Sequence, residues 1–165
     1  HVVGIQQLAE RYPYMDINRV GISSLGGGTG AVQALLQHPN FYKVGVSGML
    51  HDSRSFSASM WGDKFEGISG PGREYQHPEA YANNLQGKLL MVHGMLDTCS
   101  PPANTFRMVE ALYKANKDFD LLLLPNVGHG LNSYTFRRAW DYLVKHLLDA
   151  EPPKEFKLTT VFDML

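Results

Sequence analysis

Three loops of this 165-residue chain hold the residue types that acyl transfer needs, in a workable order. The first begins where a short apolar run, Arg19–Ser23, breaks into Ser24-Leu25-Gly26-Gly27-Gly28 and then a helical pattern. A strand that turns sharply through glycines into a helix can lift a nucleophile onto the tip of the bend. Asp97 comes second, a short loop after the run Lys88–His93, and His129 comes third, a short loop after Phe119–Leu124. Hydrolysis by a serine needs an attacking oxygen, a base to take its proton and a carboxylate to orient that base. Asp97 and His129 fit the carboxylate and the base. The nucleophile position, counted from the Arg19 that opens the strand, falls on Gly26, which has no side chain. A rival register makes Ser24 the nucleophile, but it shortens the strand by two residues. It also puts β-branched Ile22 where the bend wants a small residue. Gly27, next after the nucleophile position, is placed to offer a backbone N–H to an oxyanion.

The elements that must position these loops are legible as pattern. Four β-rich runs, Arg19–Ser23, Lys43–Ser47, Lys88–His93 and Phe119–Leu124, are nearly continuous in apolar residues. Such runs suit parallel strands covered on both faces. Helical periodicity lies between them, over Gly27–Gln37, Ala103–Lys117 and Ser133–Leu148, and a first helix ends near Arg11, before Tyr12-Pro13. Alternating strands and helices imply an α/β domain of three layers with right-handed crossovers. His51–Tyr81 is polar, aromatic and glycine-rich without a clear period, the composition of a functional excursion. Pro152-Pro153 ends the last helix, and Lys154–Leu165 reads as a tail with room for one short strand.

Bulk properties exclude several classes. Hydrophobic residues make up 44% of the chain and the formal net charge is −1, with acidic and basic residues interspersed. That leaves no footprint for nucleic acid or an anionic membrane. No apolar run approaches the roughly 20 residues of a membrane span. The single cysteine, Cys99, rules out an intrachain disulfide framework, and the seven histidines show no metal-ligand spacing. Neither a metal nor a cofactor is expected. His38 and His146 fall at helix C-terminal ends, where partial positive charge suits the dipole. His51-Asp52 and His77-Pro78 read as surface or pocket-rim residues.

The loops and their flanks resemble the prolyl oligopeptidase family of serine peptidases, in particular its dipeptidyl peptidase IV-like bacterial members. Tyr14-Met15-Asp16-Ile17-Asn18-Arg19-Val20-Gly21-Ile22 is similar to the family's lead-in to the nucleophile turn. His38-Pro39-Asn40-Phe41-Tyr42-Lys43-Val44-Gly45-Val46 is similar to the strand after it. His93-Gly94-Met95-Leu96-Asp97 with Pro102-Ala103-Asn104-Thr105 resembles the acid loop and its helix, and Asn116-Lys117-Asp118-Phe119-Asp120 with His129-Gly130 the approach to the histidine. The resemblance implies the C-terminal half of a three-layer α/β-hydrolase fold over residues 1–150, with about four parallel strands, and a tail over 151–165. It implies that Asp97 is the acid and His129 the base of a triad. It also implies that Trp61 and Phe65 wall an apolar pocket sized for a proline ring.

The chain departs from the family where the chemistry is. The family's Gly-Trp-Ser-Gly/Tyr-Gly-Gly is here Ser24-Leu25-Gly26-Gly27-Gly28-Thr29, and its Asp-Asn-Val-His-like run after the acid is Thr98-Cys99-Ser100-Pro101. Cys99 takes the place of an asparagine that holds the substrate backbone. The expectation is a dipeptidyl peptidase-like domain that has lost activity at Gly26. The alternatives are a peptide-binding pseudoenzyme and an engineered Ser-to-Gly variant of an active peptidase. The expected partner is a peptide, as substrate or ligand. The chain opens at His1 inside a helix, and the resemblance implies an upstream propeller and the other half of the hydrolase domain. That missing half or a second copy, as a homodimer, would cover the apolar edge of the first strand. By analogy with bacterial members, the resemblance leans toward a periplasmic or secreted setting.

Overall fold

A computed structural model describes residues 1–25, 28–50 and 77–158. The first helix, α1 (Val2–Arg11), stops at Tyr12, whose extended backbone is the conformation forced on a residue that precedes proline. The turn into the sheet is tied by Asp16, which accepts from the Asn18 N–H at 2.9 Å and from Arg19 Nε at 2.6 Å. Strand β1 (Val20–Leu25) leads to α2 (Thr29–Gln37), and α2 to β2 (Tyr42–Gly48). A 3-10 helix (Pro78–Asn84) precedes β3 (Lys88–Gly94), followed by α3 (Ala103–Lys114), β4 (Asp120–Leu124) and α4 (Ser133–Leu147).

All three strand pairings are parallel, in the spatial order β1-β2-β3-β4. Right-handed crossovers between strands laid down in this order place every connecting helix on the same face of the sheet. The core has that division. On one face Val32, Leu35 and Leu36 of α2 meet Leu89 and Met91 of β3, Met108 and Leu112 of α3, and Ala82 and Leu85 at the 3-10 helix. On the other, Val44, Val46, Leu90 and Val92 are covered by Ala139 and Tyr142 of α4. Alternation of Leu89 and Met91 with Leu90 and Val92 explains why β3 reads as an unbroken apolar run: both of its faces are buried.

Two glycines admit the close approaches that this layering requires. A Cβ at Gly21 would lie 3.1 Å from both Leu143 and Leu147 of α4, and one at Gly45 would lie 3.2 Å from Leu35 of α2. The elements expected from sequence are present with small shifts at their ends. β1 runs on through Ser24 and Leu25, pairing Ser24 with Ser47 and Leu25 with Gly48. α3 stops at Lys114, short of the expected Lys117. Asn116 takes a left-handed backbone with φ of 53°, and the Lys117 N–H closes back onto the Leu112 carbonyl at 3.0 Å. This is a Schellman-type stop, with asparagine in glycine's role. The described part of the His51–Tyr81 excursion opens the 3-10 helix, with Pro78 buried rather than at a rim. No strand forms over 154–158, the described part of the tail.

Candidate active site

Asp97 and His129 come together. His129 Nδ1 lies 2.9 Å from Asp97 Oδ2. The Asp97 side chain is fully buried, whereas that of His129 is 37% exposed. With Nδ1 engaged by the carboxylate, Nε2 is the nitrogen left to exchange a proton with a reacting group, which is the orientation a base needs.

The distance follows from the way the two loops are joined. Beyond the β3–β4 ladder, the Met95 N–H donates to the Leu124 carbonyl and the Leu96 N–H to the Val127 carbonyl, each at 2.9 Å. Gly94 sits at this junction. A Cβ there would lie 2.4 Å from the Val127 carbonyl oxygen and 2.5 Å from that of Gly128, so any side chain would wedge the loops apart. The loops that carry Asp97 and His129 thus continue the sheet's hydrogen bonding past its edge.

The carboxylate has a second set of partners. Asp97 Oδ1 accepts from the backbone N–H groups of Cys99 and Ser100, each at 2.8 Å. The acid loop therefore wraps back on its own carboxylate and fixes its rotamer. Below it lies a residue that sequence pattern alone did not single out. His93 is fully buried at the end of β3, with Nδ1 2.7 Å from the Thr105 hydroxyl and Nε2 2.8 Å from the Ser100 carbonyl. Burial holds its pKa below the ordinary histidine value, against the opposing pull of the Ser100 carbonyl and the Asp97 charge. The available signal was parity: position 93 continues the Leu89 and Met91 series, so a polar ring there must find partners on α3.

The other expected site residues fare differently. Cys99 is half-buried, and its N–H faces Asp97. Gly26, Gly27, Trp61, Phe65 and the pair His51-Asp52 lie outside the described residues. At the start of α2, the Ser47 hydroxyl donates to the Gly28 carbonyl at 2.9 Å, and a Cβ at Gly28 would lie 2.5 Å from the Gly48 carbonyl oxygen. This clamps the foot of α2 to the end of β2. The next residue, Met49, is buried with φ of 53°, a strained backbone of the kind found beside functional sites. His146 does lie in the last turn of α4, but burial, aided by Lys145, lowers its pKa and so disfavours the charged form expected there. Among the described residues no group of His, Cys, Asp and Glu is placed to hold a metal ion, and no helix is long and apolar enough to cross a membrane.

Comparison with known proteins identifies the fold and the family. Human dipeptidyl peptidase 8 is 27% identical over 137 residues, spanning 79% of this chain and 15% of the human protein. Rat inactive dipeptidyl peptidase 10 is 23% identical over 145 residues, spanning 84% of this chain and 18% of the rat protein. A structure of a candidate dipeptidyl aminopeptidase IV from Bacteroides ovatus superposes with a TM-score of 0.79 at 25% identity, covering 88% of this chain and 22% of that one. The chain thus matches less than a quarter of the length of each of these relatives. Its four parallel strands and flanking helices are those of the α/β-hydrolases. The model of the prolyl oligopeptidase family (Peptidase S9) matches residues 1–150, and the chain belongs to that family.

Proposed function

We propose that this chain is the acid-and-histidine half of a dipeptidyl peptidase-like catalytic domain, silent in acyl transfer because glycine stands at the nucleophile position. The observation that carries the reading is the 2.9 Å Asp97–His129 pair, held on joined loops downstream of a glycine run in the sequence with no hydroxyl at Gly26. Three findings support it. β1 extends through Leu25, so Gly26 follows directly on the strand, while Ser24 is a paired strand residue. The run after Asp97 is also changed, which favours natural drift over one engineered substitution. A relative that matches most of this chain is itself described as inactive. In this reading the protein binds peptides without cleaving them, residues 1–150 form one domain with an upstream portion, and Trp61, Phe65 and Cys99 line the peptide site.

A fluorophosphonate probe tests the reading on the full-length protein. The protein is expected to remain unlabelled, and Gly26→Ser is expected to gain covalent labelling and cleavage of dipeptide-releasing substrates. Labelling of the unaltered protein at Ser24 would overturn the register. A folded Gly26→Ser variant that stays inert would show that the rest of the machinery has also been lost.

A further inference from the structure

We propose that His93 is the positioning residue of the acid loop, a neutral imidazole that sets the turn presenting Asp97 to His129. The inference rests on Asp97 and His129 acting as an acid–base pair. It assigns a role to a buried side chain that takes no part in the pair itself.

The hydrogen-bond chemistry fixes the tautomer. A backbone carbonyl can only accept, so His93 Nε2 carries the hydrogen and donates it to Ser100 at 2.8 Å. Nδ1 is then an acceptor, and the Thr105 hydroxyl donates to it at 2.7 Å. The ring thereby links α3 to the loop through one connected path. Thr105 orients His93, His93 holds the Ser100 carbonyl, and the Ser100 N–H holds Asp97 Oδ1. Asp97 Oδ2 is left for His129.

Location explains why the neutral form matters. His93 Nε2 lies 3.7 Å from Asp97 Oδ2, beyond hydrogen-bond reach, on the oxygen that His129 engages at 2.9 Å. Among the described residues, the ionisable groups around the ring are Asp97 and His129. A proton on His93 would place a buried cation against that oxygen and divide the carboxylate's field between two imidazoles. Burial within the β3–α3 layer opposes that proton. The carboxylate's charge therefore stays directed at His129.

The test is ¹⁵N-histidine NMR of the protein, reading the His129 Nδ1–H resonance and the His93 tautomer without any need for activity. His93→Leu removes both hydrogen bonds and should shift the His129 Nδ1–H resonance upfield as Asp97 loses its fixed turn. His93→Gln keeps an amide donor for Ser100 and an acceptor for Thr105, and should restore most of that resonance's position. Should His93→Leu fail to fold, Thr105→Val keeps the imidazole and the volume while removing the donor to Nδ1. The Ser100 carbonyl still selects the Nε2–H tautomer, so the tautomer should stay while the His129 resonance moves by a smaller step. An unmoved His129 resonance in folded His93→Leu, or in Thr105→Val, would overturn the inference. Asp97→Asn separates the two levels: if it leaves the His129 resonance in place, the acid–base pair itself is refuted. If it moves that resonance while His93→Leu does not, only the role of His93 fails.

Discussion

The two oxygens of Asp97 face different partners, and the difference governs what substitution does. Oδ1 accepts from two backbone N–H groups and Oδ2 from His129 Nδ1–H, so the buried carboxylate is surrounded by donors alone. Asparagine at this position must turn its amide toward one of those sets. Donors then face donors, and the cheapest escape is for His129 to change tautomer. In a Gly26→Ser background that has gained activity, adding Asp97→Asn should cut kcat by about 10⁴-fold, readable in a steady-state assay. His93 yields a prediction on stability. Its folded pKa is lowered from the ordinary 6.5, so below that pH the unfolded chain binds a proton that the folded one resists. Stability should therefore fall between about pH 7 and pH 5. His146, lowered in the same direction, adds to the slope. Urea denaturation across that range should show a shallower decline in His93→Gln than in the unaltered protein, and equal slopes would refute the assignment. Asp97 and His129 were legible in sequence because each follows an apolar run by a short loop. His93 was not, because it ends such a run and its partners, Thr105 and Ser100, become neighbours only when α3 folds back.

Elements meet the site through their ends, and glycine marks where ends crowd. The strands and helices were legible from hydrophobic period. Their exact stops were not, since those depend on single backbone conformations such as the left-handed Asn116 that ends α3. Gly94 and Gly4 predict opposite signs for the same chemical change. At Gly94 the added methyl of alanine meets two carbonyl oxygens at 2.4 and 2.5 Å. Carbonyls of hydrogen-bonded loops cannot swing aside as a side chain could. Gly94→Ala should cost about 1–3 kcal/mol and move the His129 imidazole resonances as the loops part. Gly4 lies inside α1, where an added methyl would meet nothing within 4 Å. Gly4→Ala should leave the site unchanged and stabilise the protein by up to about 1 kcal/mol, because alanine loses less backbone entropy in a helix. Thermal denaturation of the two variants side by side checks both signs.

Across the whole molecule, the sheet's two faces are covered by different parts of the chain. The three crossovers consign α2, the 3-10 helix and α3 to one face, while α4, the last of the described helices, returns over β1, β2 and β3 on the other. The parallel α/β class was legible from the alternation of runs. That α4 reaches β1 was not, because Gly21 and Leu147 stand far apart in sequence and only the packed sheet brings them to van der Waals distance. A polar tie also fastens α4 to the far side of the sheet: Tyr142 donates its hydroxyl to Asp120 at the start of β4, at 2.8 Å. Tyr142→Phe keeps the ring's packing and removes only that bond. Asp120 is exposed and regains water, so the cost should be about 1 kcal/mol, below the usual range for a bond to a charged group. Burial and the neighbouring Asp120 carboxylate raise the Tyr142 pKa well above its ordinary value of 10. The bond's contribution is therefore complete at neutral pH and declines only as pH climbs past about 10. A double-mutant cycle with Asp120→Ala, which leaves no acceptor, isolates it. If the tie is real, Tyr142→Phe with Asp120→Ala should cost less than the two single changes added together. Strict additivity would mean that packing alone seats the helix.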